Sequence, residues 1–126
     1  GMPDVLAELE RRGIAWGIVT NKPARFTEPL AECLKVSHRA AAIISGDSTP
    51  RPKPAPDGLL LACERVGVSP RLTLYVGDDL RDIQAGQAAG VGTVAAAWGY
   101  LGDGLPIEAW DADAIIATPL ELLQLL

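Results

Sequence analysis

The segment Gly77-Asp78-Asp79-Leu80-Arg81-Asp82 constrains this chain more than any other. It follows Leu72 to Val76, a short apolar run of strand formers, and leads into Asp82 to Ala89, whose pattern predicts a helix. A strand that ends in acidic residues and turns directly into a helix sets those carboxylates at the carboxyl edge of a sheet. That edge is where open α/β sheets bind ligands. Hard carboxylate oxygens in such a place suit Mg²⁺, which takes one or two protein carboxylates and completes its shell with water and phosphate. The plainer reading is an N-cap aspartate followed by an acidic first turn, which any helix can use.

Strands and helices alternate along the whole chain. The patterns predict helices over Pro3 to Arg12, Arg25 to Leu34 and Asp57 to Val66, and strands over Ile14 to Val19 and Ala41 to Ile44. Beyond the acidic turn they predict strands at Thr93 to Ala97 and Ala114 to Ala117, and a last helix opened by Pro119. This alternation predicts one α/β domain over residues 1–126, a parallel sheet with helices on both faces.

Composition narrows the function classes. With 48% hydrophobic residues the chain has enough apolar material for a real core. A net charge of -5 with scattered basic residues argues against nucleic acid as a partner, and no apolar run is long enough to span a membrane. Cys33 and Cys63 fall inside predicted helices and read as small buried hydrophobes; His38 reads as a surface residue. Nothing asks for an oxidising compartment, so the expected location is the cytoplasm.

In a parallel sheet every strand-to-helix turn opens on the same edge. Thr20 and Asn21 leave one strand there, Asp47 another, and Asp78 and Asp79 a third. The Pro-rich stretch Ser48 to Pro56 forms a stiff loop that brings Lys53 over the same crevice. Such a set binds a phosphate together with Mg²⁺: Thr20 and Asn21 donate hydrogen bonds, Lys53 neutralises oxygen charge and Asp78 holds the metal. The plainer readings are helix capping for Thr20 and Asn21 and a solvated loop lysine for Lys53.

The ordered set Thr20-Asn21-Lys22, Lys53-Pro54 and Gly77 to Asp82 resembles motifs two, three and four of the haloacid-dehalogenase-like hydrolases. Trp16 to Pro23, Trp98-Gly99-Tyr100 and Pro119-Leu120-Glu121-Leu122 resemble the phosphoglycolate phosphatase branch and its relative, N-acetylmuramate 6-phosphate phosphatase. The resemblance implies a three-layer Rossmann-like core and a Mg²⁺-dependent phosphatase acting on a small phosphorylated metabolite through a phospho-aspartate. It implies that Thr20 and Asn21 bind the phosphoryl group and that Lys53 steadies it, with Thr20 and Lys53 as the catalytic residues found here. Asp78 would ligate Mg²⁺, Asp82 would support the metal's water shell or Lys53, and Asp79 is a further candidate ligand.

The family's first motif, a strand followed by Asp-x-Asp, supplies the nucleophile and the acid-base. Asp111-Ala112-Asp113 has the spacing but precedes its strand, Asp4 lies in the first helix, and Asp47-Ser48-Thr49 lacks the second aspartate. The expectation is a core without its central nucleophile strand and cap, catalytically incomplete alone, with Mg²⁺ bound weakly or not at all. In the family that strand lies between the strands ending at Val19 and Val76. Either those two strands pair directly, or another chain covers the gap, as in a homodimer. A phosphatase core and a non-catalytic phosphate- or partner-binding module both stay open at this point.

Overall fold

All five expected strands form, and all are short. The computed structural model describes residues 1–126. Helix α1 is Met2–Arg11, α2 Ala24–Cys33, α3 Asp57–Val66 and α4 Leu80–Ala89. The strands are β1 Gly17–Val19, β2 Ala42–Ile44, β3 Leu74–Gly77, β4 Gly92–Ala96 and β5 Ala114–Ile116. Three short 3₁₀ segments, Pro70–Leu72, Ile107–Ala109 and Pro119–Leu125, complete the chain.

The departures from expectation have local causes. β1 begins at Gly17 rather than Ile14: its ladder with the three-residue β2 starts at Gly17 opposite Ala42, and behind that only Trp16 O is engaged, by the Ala41 N–H. β3 begins at Leu74 because Pro70–Leu72 turns instead of extending; the Ser69 hydroxyl accepts from the Arg71 N–H, and Leu72 is left 88% exposed. α4 starts two residues early, at Leu80, with Asp79 as its N-cap. The closing segment from Pro119 is 3₁₀, not an α-helix. Cys63 is buried as expected, but Cys33 is exposed on α2.

β1 and β2 pair in parallel, Gly17 opposite Ala42 and Val19 opposite Ile44. β3, β4 and β5 form a second parallel sheet in that order. β1 and β3 do not pair, so the direct closure weighed above does not occur. Between them runs a groove of about 610 Å³, lined mostly by apolar side chains that include Ile18, Val19, Leu59, Tyr75 and Val76. Parallel ladders turn alternate peptide groups to opposite neighbours. Trp16 O accepts from Ala41 on the β2 side, so Val19 turns its peptide group the other way, into the groove. Thr73 O accepts from Gly92 on the β4 side, which likewise leaves Leu74 and Val76 facing the groove.

Side chains alternate as well. Val19 lies against Gly58 of α3, while Ile18 shares a small pocket with Thr27, Leu30 and Ala31 of α2. The core is Leu59 and Cys63 of α3 against Ala85 and Ala89 of α4, with Val19 and Tyr75 packed on it. A second cluster joins Ile83 to Ala95, Ile107 and Trp110. The Asp111-Ala112-Asp113 segment is structural: Asp113 Oδ2 accepts from both the N–H and the hydroxyl of fully buried Thr93 at 2.8 and 3.2 Å, tying β4 to the start of β5.

Candidate functional site

The mouth of the groove, at the carboxyl ends of β1 and β3, gathers the polar residues singled out in the sequence. Thr20 follows β1, and its Oγ1 accepts from the Lys22 N–H at 3.1 Å, which leaves the hydroxyl proton free to donate. The backbone N–H of Asn21 has no acceptor. The Asn21 side chain is engaged: Nδ2 donates to Lys53 O at 3.1 Å and Oδ1 accepts from Lys53 N at 2.9 Å. Asn21 therefore anchors the Pro-rich loop, and a backbone group is its free donor at the crevice.

Lys53 reaches the groove mouth by this clamp. Its Nζ donates to Asp82 Oδ1 at 2.6 Å, to the Tyr75 hydroxyl at 2.8 Å and to Val19 O at 3.2 Å. The lysine and aspartate side chains are only 11% and 9% exposed, so this is a nearly dry ion pair rather than a surface contact. Removing one partner of such a pair strands the other charge, at a cost of about 3–5 kcal/mol. Burial, then the negative charge of Asp82, pushes the Tyr75 phenol well above its ordinary value.

The three carboxylates of the acidic turn have separate tasks. Asp79 caps α4: its Oδ1 accepts from Arg81 N at 2.8 Å, and its two oxygens hold the Arg81 guanidinium at 3.0 and 3.1 Å. The Arg81 hydrogen bond keeps the Asp79 carboxyl below its usual range. Asp82 closes the capping box by accepting from Asp79 N at 3.1 Å through Oδ2, while its other oxygen holds Lys53. Asp78 alone has no hydrogen-bonding partner. Two glycines make room for these carboxylates: a Cβ at Gly77 would collide with Asp82, and a Cβ at Gly99, in the loop after β4, would collide with Asp78. The plainer reading of the acidic turn thus holds for Asp79 and for one oxygen of Asp82, beside the pairing with Lys53.

No three His, Cys, Asp or Glu side chains converge as a metal-holding group. With Asp79 taken by Arg81 and Asp82 by Lys53, one free carboxylate remains. These residues do not by themselves fit a resident Mg²⁺ ion, which competes with a tightly held water shell.

Several contacts around the crevice were not visible in the sequence. Asp47 does reach the sheet edge, where its Oδ1 accepts from Ala24 N at 2.9 Å and caps α2, whose own N-cap is Pro23. Tyr75 falls inside the apolar run Leu72 to Val76 and carries no role in the sequence pattern; the signal available was a phenol inside an otherwise aliphatic strand. The role of Gly99 needed the loop's close approach to Asp78.

Fold and crevice together define a parallel α/β protein with hydroxyl, ammonium and carboxylate groups gathered at one strand edge. The chain belongs to the haloacid dehalogenase-like hydrolase family, whose model matches residues 1–96. It is 43% identical over 126 residues to N-acetylmuramic acid 6-phosphate phosphatase of Pseudomonas aeruginosa, covering 100% of this chain and 56% of that protein. It is 45% identical over 125 residues to phosphoglycolate phosphatase of Xanthomonas campestris, covering 98% and 56%. The crystal structure of a predicted phosphoglycolate phosphatase from Haemophilus somnus superposes with a TM-score of 0.89 at 29% identity, covering 98% of this chain and 54% of that one. The chain spans about half the length of the curated relatives it matches.

Proposed function

We propose that this chain carries the phosphoryl-binding edge of a phosphatase for small phosphomonoesters, most like phosphoglycolate phosphatase. The observation that carries this reading is the convergence of the free Thr20 hydroxyl, the free Asn21 N–H and the Lys53 ammonium at the groove mouth. Two neutral donors and one cation suit a phosphoryl group, whose oxygens accept hydrogen bonds and carry the negative charge. Thr20 and Asn21 N–H orient the group, Lys53 balances its charge, and the dry surroundings of Lys53 strengthen that attraction. Asp78 is the carboxylate a Mg²⁺ ion would meet there.

The chain alone is catalytically incomplete in this reading. Asp78 is the one carboxylate of the acidic turn without a partner, and the single Asp-x-Asp, Asp111-Ala112-Asp113, precedes its strand and so supplies no nucleophile after one. N-acetylmuramate 6-phosphate is the alternative substrate, favoured equally by the near-equal identities to the two kinds of relative.

Calorimetric titration with 2-phosphoglycolate, and with glycolate as the control, tests the binding claim. The phosphorylated compound should bind, glycolate should not, and Thr20→Val should weaken binding about tenfold, as the loss of a hydrogen bond to a charged group implies. Equal responses to both compounds would remove the phosphate reading.

A further inference from the structure

Lys53 Nζ carries three protons and has three acceptors: Asp82 Oδ1, the Tyr75 hydroxyl and Val19 O. The Tyr75 hydroxyl has a single proton. Val19 O lies 2.9 Å away and Asp82 Oδ1 3.4 Å, so that proton goes to Val19. The result is a directed chain from the Lys53 ammonium through the Tyr75 hydroxyl to the Val19 carbonyl. That carbonyl is on the groove-facing edge of β1, where no strand pairs with it. A half-buried backbone carbonyl needs a donor, and here side chains provide it.

We propose that Tyr75 is a positioning residue for Lys53: its hydroxyl, anchored on the Val19 carbonyl, fixes the ammonium at the groove mouth against Asp82. The three groups come from β1, the Pro-rich loop and β3, so one hydroxyl ties both halves of the divided sheet to one lysine. The arrangement also decides how the lysine moves. Val19 O is its longest contact and is already served by Tyr75, so Lys53 can turn away from it towards an anion without leaving the carbonyl bare. The inference rests on the phosphate reading only for what the ammonium is for; the hydrogen-bond chain is testable without it.

The test is proton exchange at the lysine ammonium groups of the full chain, labelled with ¹⁵N and followed by NMR. Of the three lysines, Lys22 and Lys35 are exposed, so Lys53 should give the one slowly exchanging ammonium signal. Tyr75→Phe keeps the ring, whose centroid lies 5.4 Å from Nζ, and removes only the hydroxyl. Exchange at Lys53 should then quicken about tenfold, the value of one hydrogen bond, with Lys22 and Lys35 unchanged. Unchanged Lys53 exchange in a folded Tyr75→Phe protein overturns the proposal. The wild-type protein gives an independent check that does not need the variant to fold. A slowly exchanging Tyr75 hydroxyl proton supports the chain, whereas its absence, or Lys53 exchange as fast as at Lys22, overturns it. If exchange behaves as expected while 2-phosphoglycolate fails to bind, the positioning role stands and the phosphate reading falls.

Discussion

Asn21 and Lys53, 32 positions apart, are joined by a reciprocal pair of hydrogen bonds, amide nitrogen to carbonyl at 3.1 Å and backbone N–H to amide oxygen at 2.9 Å. The pair fixes the Pro-rich loop to the end of β1 and sends the Lys53 side chain into the groove mouth. Asn21→Ala removes both bonds and leaves two polar backbone groups of Lys53 unserved. The variant should lose about 1–3 kcal/mol of stability and show faster amide hydrogen exchange at Lys53. Unchanged protection of the Lys53 amide would mean that the loop holds itself.

The 126-residue chain should not hydrolyse p-nitrophenyl phosphate in a Mg²⁺-dependent way, because no aspartate is placed to form a phospho-enzyme. Steady-state assays on highly purified protein check this. Turnover that Asp78→Asn abolishes would show that the crevice is complete after all.

Acid should weaken the fold through carboxylates held below their ordinary values. Arg11 and then Arg12 lower Glu8 from 4.5 to about 2 on α1, Arg39 lowers Glu10, and Arg51 lowers Asp57. A depressed carboxylate contributes stability that is present above its unfolded value and is lost as pH falls towards its folded one. The window for Glu8 therefore runs from about 4.5 down to 2. These pairs are exposed, so each contributes little. Chemical denaturation midpoints measured across that window should fall, and Glu8→Gln should flatten part of the slope. A Glu8→Gln profile parallel to wild type throughout would show that the α1 pairs contribute nothing.

The fold was legible in the sequence because hydrophobic period and turn chemistry agreed: Asp57–Val66 begins and ends where the pattern placed it. The crevice was legible as a set, since Thr20, Asn21, Lys53, Asp78 and Asp82 each end a strand, open a helix or ride the Pro-rich loop. Their tasks were less so. The pattern places a carboxylate at an edge, but whether it is free depends on neighbours distant in the chain: Lys53 occupies Asp82 from 29 positions away. Asp79 was lost to Arg81, only two residues on, a local contact that the pattern alone did not rank above metal binding. Tyr75 was missed because its hydroxyl takes a lysine from 22 positions away and gives its proton to a backbone carbonyl, and a carbonyl left without a strand has no signature in the residue sequence.

A ¹⁵N-resolved titration of the chain with 2-phosphoglycolate tests the phosphoryl site most directly. The largest shifts should fall on the Thr20 and Asn21 amides and the Lys53 ammonium, and they should shrink in Thr20→Val. Shifts confined to other parts of the surface, or none at saturating ligand, would contradict a phosphoryl site at the groove mouth.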